Sequence, residues 1–155
     1  MKILVIGDSC TDIFSYGNIE RISPEAPVPV FLPEYESENP GMAANVARNI
    51  SSMGIDCDLI TNNTIIEKIR LVDSKSNQMV VRVDKNDKIP DDDSFDFYIN
   101  DYSFKGYDAI VISDYNKGFL SDKNINKILE LNENTFLQTN KKIGEWCESA
   151  NFLKI

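Results

Sequence analysis

Asn39-Pro40-Gly41-Met42-Ala43-Ala44-Asn45-Val46-Ala47-Arg48-Asn49-Ile50 is the stretch on which the reading of this chain turns. It reads as extended chain that bends at a glycine and enters a helix. Val46, Ile50 and Met53 recur at helical spacing with Ala43 and Ala47 beside them, which gives one small apolar face. Gly54 then stands where helices commonly stop. At the other end Pro40 biases Asn39 towards extended chain, and Gly41 lets the backbone bend and another group come close. The first N–H groups of a helix have no partner inside it and point out of its end. Asn45 adds a side-chain amide that both donates and accepts. A polyhydroxylated ligand suits these groups, and so does an ordinary loop-to-helix junction with no ligand at all.

Working outward, Lys2 to Ile6 is a continuous apolar run closed by Gly7-Asp8, the pattern of a parallel strand buried on both faces. The stretch Gly7 to Asp12 then reads as a loop at the carboxyl end of that strand, where open α/β sheets bind ligands. Asp12 is the candidate group there, as a carboxylate able to accept from two sugar hydroxyls, or as a turn residue. Phe14 to Glu38 carries Pro24, Pro27, Pro29 and Pro33, which forbid helix and disfavour a central strand. It predicts a flap of small edge strands. Ile55–Ile60 reads as the next sheet strand, Thr61–Thr64 as a polar turn, and Ile65–Val72 with Met79–Val83 as a hairpin that could pair with the flap.

Asp84–Ser94 reads as a solvated acidic loop, and 96–104 is ambiguous between helix and strand. Tyr107–Ser113 is a second buried strand with polar groups gathered after it. Ser121 is the expected N-cap of a helix carrying Ile125, Ile128 and Leu129. Thr135–Thr139 and Phe152–Ile155 are further strands, with a short helix over Ile143–Ala150 that turns Trp146 inward. Strand–helix alternation of this kind implies a mainly parallel α/β sheet.

Composition narrows the function. The 155 residues make one domain, and 42% hydrophobic content supports a core. A net charge of −9 argues against nucleic acid and against an anionic membrane surface. No apolar run approaches a membrane span, and the start does not read as a signal peptide. Three scattered cysteines suggest neither a disulfide frame nor a zinc site, so a reduced, cytoplasmic setting is expected. Histidine is absent, which leaves carboxylates, Lys, Tyr, Cys or activated water for any catalysis. The seven glycines are never closer than ten residues, so no phosphate-cradling glycine loop can be built.

Several pieces together resemble the ribokinase-type (phosphofructokinase-B) carbohydrate kinases. They are Gly7-Asp8 through Asp12, the run Tyr16 to Val30, Pro40 to Ala47, Lys68-Ile69-Arg70 with Arg82-Val83-Asp84, and Ser113-Asp114-Tyr115-Asn116-Lys117-Gly118. More narrowly, the Ile22-to-Val30 run is similar to the kinase domain of the D-glycero-β-D-manno-heptose-7-phosphate kinases of lipopolysaccharide precursor synthesis. The resemblance implies a three-layer α/β/α sandwich with a β-sheet lid, the lid lying at about 14–39 and 65–84. It implies sugar contacts at Asp12, Gly41 and Asn45, sugar-phosphate contacts at Arg70, Asp114 and Lys117, and lids that pair between subunits.

It also covers only about the first half of the family's domain. The second family glycine is Met42 here, which would crowd a sugar. The helix and strand expected before the lid hairpin are replaced by Thr61-Asn62-Asn63-Thr64. The magnesium-linked Asn-x-x-Glu motif, the Gly-Ala-Gly-Asp anion hole and the nucleotide pocket are not in these residues. ATP and Mg²⁺ are therefore expected only if another half supplies their site. Three functional readings follow from this: a truncated kinase relative that binds a sugar phosphate, one half of a split kinase, and a non-catalytic module that dimerises through its lid.

Overall fold

The structure is a computed structural model that describes residues 1–95, 104 and 106–154; the ambiguous stretch 96–103 lies outside the described residues. Strand β1 (Lys2–Gly7) pairs in parallel with β4 (Asp56–Ile60) on one side and β7 (Ala109–Asp114) on the other. Beyond β7 lie β8 (Thr135–Thr139) and β9 (Phe152–Lys154), so the sheet order is β4-β1-β7-β8-β9. Leu4, Val5 and Ile6 are fully buried because both faces are covered. Helix α1 (Ala43–Ser52) packs Ala43, Ala47 and Ile50 against Val5. Helix α2 (Asp122–Leu131) sets Ile125, Ile128 and Leu129 in the core of the opposite face, with Leu4, Ile6, Ile110 and Leu137. Ser121 caps α2 in a reciprocal box with Asn124. The result is the expected α/β/α arrangement. Among the described residues no helix is long and apolar enough to cross a membrane.

A second sheet stands beside the first, in the order β3-β2-β5-β6. It joins the hairpin β2 (Ser9–Ile22) and β3 (Pro29–Met42) to the hairpin β5 (Glu67–Asp73) and β6 (Gln78–Lys85) through parallel pairing of β2 with β5. Of the segments 14–39 and 65–84, residues 14–22, 29–39, 67–73 and 78–84 lie on its strands, and β2 is an interior strand where the sequence predicts a small edge strand. Pro29, Pro33 and Pro40 sit on β3, an edge strand, where a missing N–H costs least.

Three local expectations need correction. Gly7–Asp12 is not a loop: β2 already begins at Ser9, so only Asp8 separates the two sheets. Gly7 allows the crossing, since a Cβ there would lie 2.0 Å from the Ser113 carbonyl oxygen. The helix expected over Ile143–Ala150 is a 3₁₀ turn at Glu145–Cys147, in which Cys147 is buried and Trp146 half-buried. The acidic run is not simply solvated. Asp93 is buried and accepts from the backbone N–H groups of Asn63 (2.9 Å) and Thr64. That bond pins the short Thr61–Thr64 connection, which Asn62 ties to Ser9 by accepting from its N–H at 2.8 Å.

Candidate functional site

Side-chain alternation along the second sheet decides what faces what. The register sets Asp12, Lys68 and Asp84 in one row and Phe14, Arg70 and Arg82 in the next, all on one face. That face meets the loops after β7 and β8. Between them lies a polar cleft of about 410 Å³ whose lid side is Cys10, Asp12, Lys68, Arg70 and Arg82. Tyr115, Lys117, Asn140 and Met42 line its opposite side.

The charges in the cleft are interlocked. Asp12 Oδ1 accepts from Arg70 at 2.6 Å, and the Arg70 guanidinium lies 5.0 Å from the centre of the Phe14 ring. Arg82 binds Asp84 through Nε and Nη2 at 2.8 and 2.9 Å. Lys68 Nζ donates to Asp84 and Asp87, each at 3.1 Å, and Lys117 Nζ donates to Asp87 at 2.6 Å. Burial alone would lower the Lys68 pKa, but the hydrogen bonds to Asp84 and Asp87 outweigh it and hold it above the usual lysine value. The Lys117 hydrogen bond, reinforced by Lys68, keeps the Asp87 carboxyl below its ordinary value against some desolvation. Burial, then the Asp12 charge, pushes the Cys10 thiol up to about 11, so it is a neutral lining group and not a nucleophile. Four basic groups (Lys68, Arg70, Arg82, Lys117) face three acidic ones (Asp12, Asp84, Asp87) in these contacts. The lining itself carries Lys68, Arg70, Arg82 and Lys117 against Asp12, so the surface a ligand would touch is rich in cations, while Asp84 and Asp87 pair with them from outside the lining and Asp8 and Asp114 lie buried behind it.

Of the six residues singled out in the sequence, Asp12, Arg70 and Lys117 line this cleft together. Gly41 is buried across from Cys10, and a Cβ there would lie 2.5 Å from both Asp12 Oδ2 and Cys10 Sγ. Its lack of a side chain therefore lets the Asp12 carboxylate sit where it does. Asp114 is fully buried beneath the cleft, accepting from the Thr139 hydroxyl and from the Asn116 N–H at 3.1 Å. Asn45 is exposed on α1 and is not among the lining residues. The first N–H groups of α1 do not point at open space: Ala43 donates to the Asp8 carbonyl at 2.9 Å and Ala44 to Ser9 Oγ at 3.0 Å.

Sequence reasoning overlooked Asp8, Lys68, Arg82 and Asp87 as site residues. Asp8 organises the far wall, accepting from the backbone N–H groups of Tyr115 (2.6 Å), Lys117 (3.3 Å) and Phe119 (3.2 Å). Burial and then the Asp114 charge raise its pKa, against those three donors. Lys68 and Arg82 were legible as the same-face neighbours of Arg70 and Asp84 in alternating strands. Among the described residues no group of three or more Cys, Asp or Glu is disposed to hold a metal ion. A larger hollow of about 840 Å³ lies elsewhere, over β8 and β9, where Phe136 and Phe152 stack at 4.3 Å.

No protein-family model matches the chain. It is 36% identical over 160 aligned positions to the bifunctional protein HldE of Helicobacter acinonychis, covering 84% of this chain and 35% of that protein. It is 37% identical over 149 positions to the HldE of Helicobacter pylori strain J99, covering 77% and 32%. The chain spans about a third of the length of these curated relatives. Among solved structures it superposes on Escherichia coli phosphofructokinase-2 in complex with fructose-6-phosphate, with a TM-score of 0.56 at 13% identity. That match covers 96% of this chain and 57% of the other. A carbohydrate kinase from Agrobacterium tumefaciens gives a TM-score of 0.54 at 15% identity, covering 90% and 53%. The chain is similar in sequence to about a third of the HldE proteins, and its fold is that of the ribokinase-like carbohydrate kinases.

Proposed function

We propose that this chain forms the sugar-phosphate-binding part of a carbohydrate kinase and that its ligand is a heptose phosphate. The observation that carries this is the convergence of Asp12 and Arg70 with Lys68 and Lys117 in one cleft between the two sheets. A carboxylate held by an arginine accepts from paired hydroxyls, while nearby ammonium groups answer a phosphate. The resemblance of residues 22–30 to the heptose-phosphate branch selects the sugar. The same reading seats a second copy against the lid, where Leu32, Tyr35, Met79 and Val81 are exposed; light scattering on the purified chain tests it.

We assign no ATP or Mg²⁺ site to the residues present. Phosphoryl transfer needs oriented N–H groups and cations around the transferred phosphate, and the glycines here are too far apart to supply the loop. No transfer step is assigned to this chain. A second reading, that a further polypeptide supplies the nucleotide half, is favoured by the exposed aromatic face of Phe136 and Phe152. Thermal unfolding separates the possibilities. A heptose 7-phosphate at about 100 times its Kd should raise Tm by roughly 5–10 °C, while ATP alone leaves it unchanged. No shift at millimolar sugar phosphate refutes the binding reading. Transfer of labelled phosphate from ATP to the sugar by this chain alone refutes the assignment of the nucleotide site elsewhere.

A further inference from the structure

The Asp87 carboxylate does something that neither the fold nor the resemblance requires. Its Oδ1 accepts from Lys68 at 3.1 Å and its Oδ2 from Lys117 at 2.6 Å. One ammonium belongs to the lid strand β5 and the other to the loop after β7, so a single side chain bridges the two walls of the cleft. Both lysine side chains are largely buried, at 10% and 20% exposure, whereas Asp87 is 40% exposed. The neighbouring backbone is fixed independently, because the Ile89 N–H donates to the Lys117 carbonyl at 2.7 Å and Asn86 Nδ2 to the Ile65 carbonyl at 3.0 Å. The Asp87 side chain is thus the most exposed member of the bridge, on a backbone held by other contacts. Lys68 is also held by its second partner, Asp84.

We propose that Asp87 is an internal counter-ion, occupying the position between Lys68 and Lys117 that the phosphoryl group of the ligand takes, and that binding displaces it. This rests on the reading of the cleft as a sugar-phosphate site and adds a device that sets its affinity. Two ammonium groups either side of one carboxylate present the spacing that two oxygens of a phosphate monoester also meet. The carboxylate keeps the pair compensated when no ligand is bound, as partly buried cations require. It also makes an uncharged sugar a poor competitor, since only an anion can replace it.

Calorimetric titration of the full chain with heptose 7-phosphate, fructose 6-phosphate and unphosphorylated fructose tests the idea in wild type, Asp87→Asn and Asp87→Ser. Both variants should bind the phosphorylated sugars roughly three- to tenfold more tightly, the scale of two partly buried ion pairs no longer broken on binding. Affinity for fructose should not change. Adding Lys117→Gln to Asp87→Asn should remove the gain. If wild type binds a phosphorylated sugar and neither variant binds it better, the counter-ion role is wrong while the site assignment stands. If all three fail to bind any phosphorylated sugar, both are wrong. An equal gain for fructose overturns the proposal, because it indicates a loosened lid and not an unmasked anion site. Loss of the folded state in both variants, read by circular dichroism, also overturns it, because the bridge is then a structural requirement.

Discussion

Met42 sits in a backbone conformation that suits glycine, and substitution there separates strain from packing. Its φ is 57° and its ψ −131°, a region that costs a residue with a Cβ on the order of 1–3 kcal/mol. The side chain is nonetheless 92% buried in the core cluster with Leu4, Ile6, Cys10 and Ile66. Met42→Ala keeps the strain and loses the packing, so it should destabilise by about 2–5 kcal/mol. Met42→Gly loses the same packing and a little more, but releases the strain. Glycine ordinarily trails alanine by roughly 0.5–1 kcal/mol through chain entropy. Mid-range values, about 2 kcal/mol of strain less about 0.75 of chain entropy, leave Met42→Gly roughly 1 kcal/mol more stable than Met42→Ala, although less stable than wild type.

Urea unfolding followed by far-UV circular dichroism measures the ranking, and thermal melts should separate the two variants by roughly 2–4 °C per kcal/mol. The comparison is sharp because the usual order of the two residues is reversed. Met42→Ala equal to or more stable than Met42→Gly refutes the strain argument. Met42 also lines the cleft beside Asp12, so the glycine variant opens room there. A gain in sugar-phosphate affinity alongside a loss of stability is the expected pair of effects.

Three further substitutions test the frame around the cleft. Gly41→Ala should destabilise by about 1–3 kcal/mol and weaken the Asp12–Arg70 pair, because the added carbon falls 2.5 Å from the Asp12 carboxylate; urea midpoints and ligand titration report both. Asp8→Ala should cost about 3 kcal/mol, since the buried N–H of Phe119 and the partly buried N–H groups of Tyr115 and Lys117 lose their acceptor together; chemical unfolding reads the loss. For Asp93, burial opposes ionisation, but the N–H groups of Asn63 and Thr64 outweigh it and hold the pKa below the usual value. A depressed carboxyl contributes stability that is full above its unfolded pKa and is lost as pH falls through the folded one. The stability gap between wild type and Asp93→Asn should therefore be constant above about pH 5 and shrink from about pH 4 downward. A gap that widens in acid contradicts the assignment.

What the sequence disclosed was whatever depends on neighbours close along the chain. Leu4-Val5-Ile6 announces a doubly covered strand, and Ser121 with Asn124 announces a helix start. The alternation of Arg82 and Asp84 against Val81 and Val83 announces which side chains share a face. What it hid depends on distant partners. Ser9–Asp12 looks like a loop because its polar residues carry no strand pattern; it becomes a strand only by pairing with β3 and, at Thr11 and Asp12, with β5. Asp87 and Asp93 look like members of one acidic run, yet one meets Lys117 thirty residues on and the other meets Asn63 thirty residues back. The Trp146 helix fails because the Cys147 N–H turns back on the Gly144 carbonyl and closes a single tight turn.

The same division explains how the cleft is built. On the sheet side its walls are held by Asp8, whose carboxylate gathers the loop after β7 and whose carbonyl receives the first N–H of α1. Those contacts are largely buried, so salt screens them little. On the lid side the wall is held across the gap by the Lys68–Asp87–Lys117 bridge, whose central carboxylate is open to solvent and exchangeable for another anion. On the proposed reading, a phosphorylated ligand would meet a fixed wall that positions it and a wall whose ionic tie it would replace. Under that proposal, discrimination for the phosphate would come from the labile contact, and shape discrimination for the sugar from the wall where Met42 and the Asp12–Arg70 pair stand.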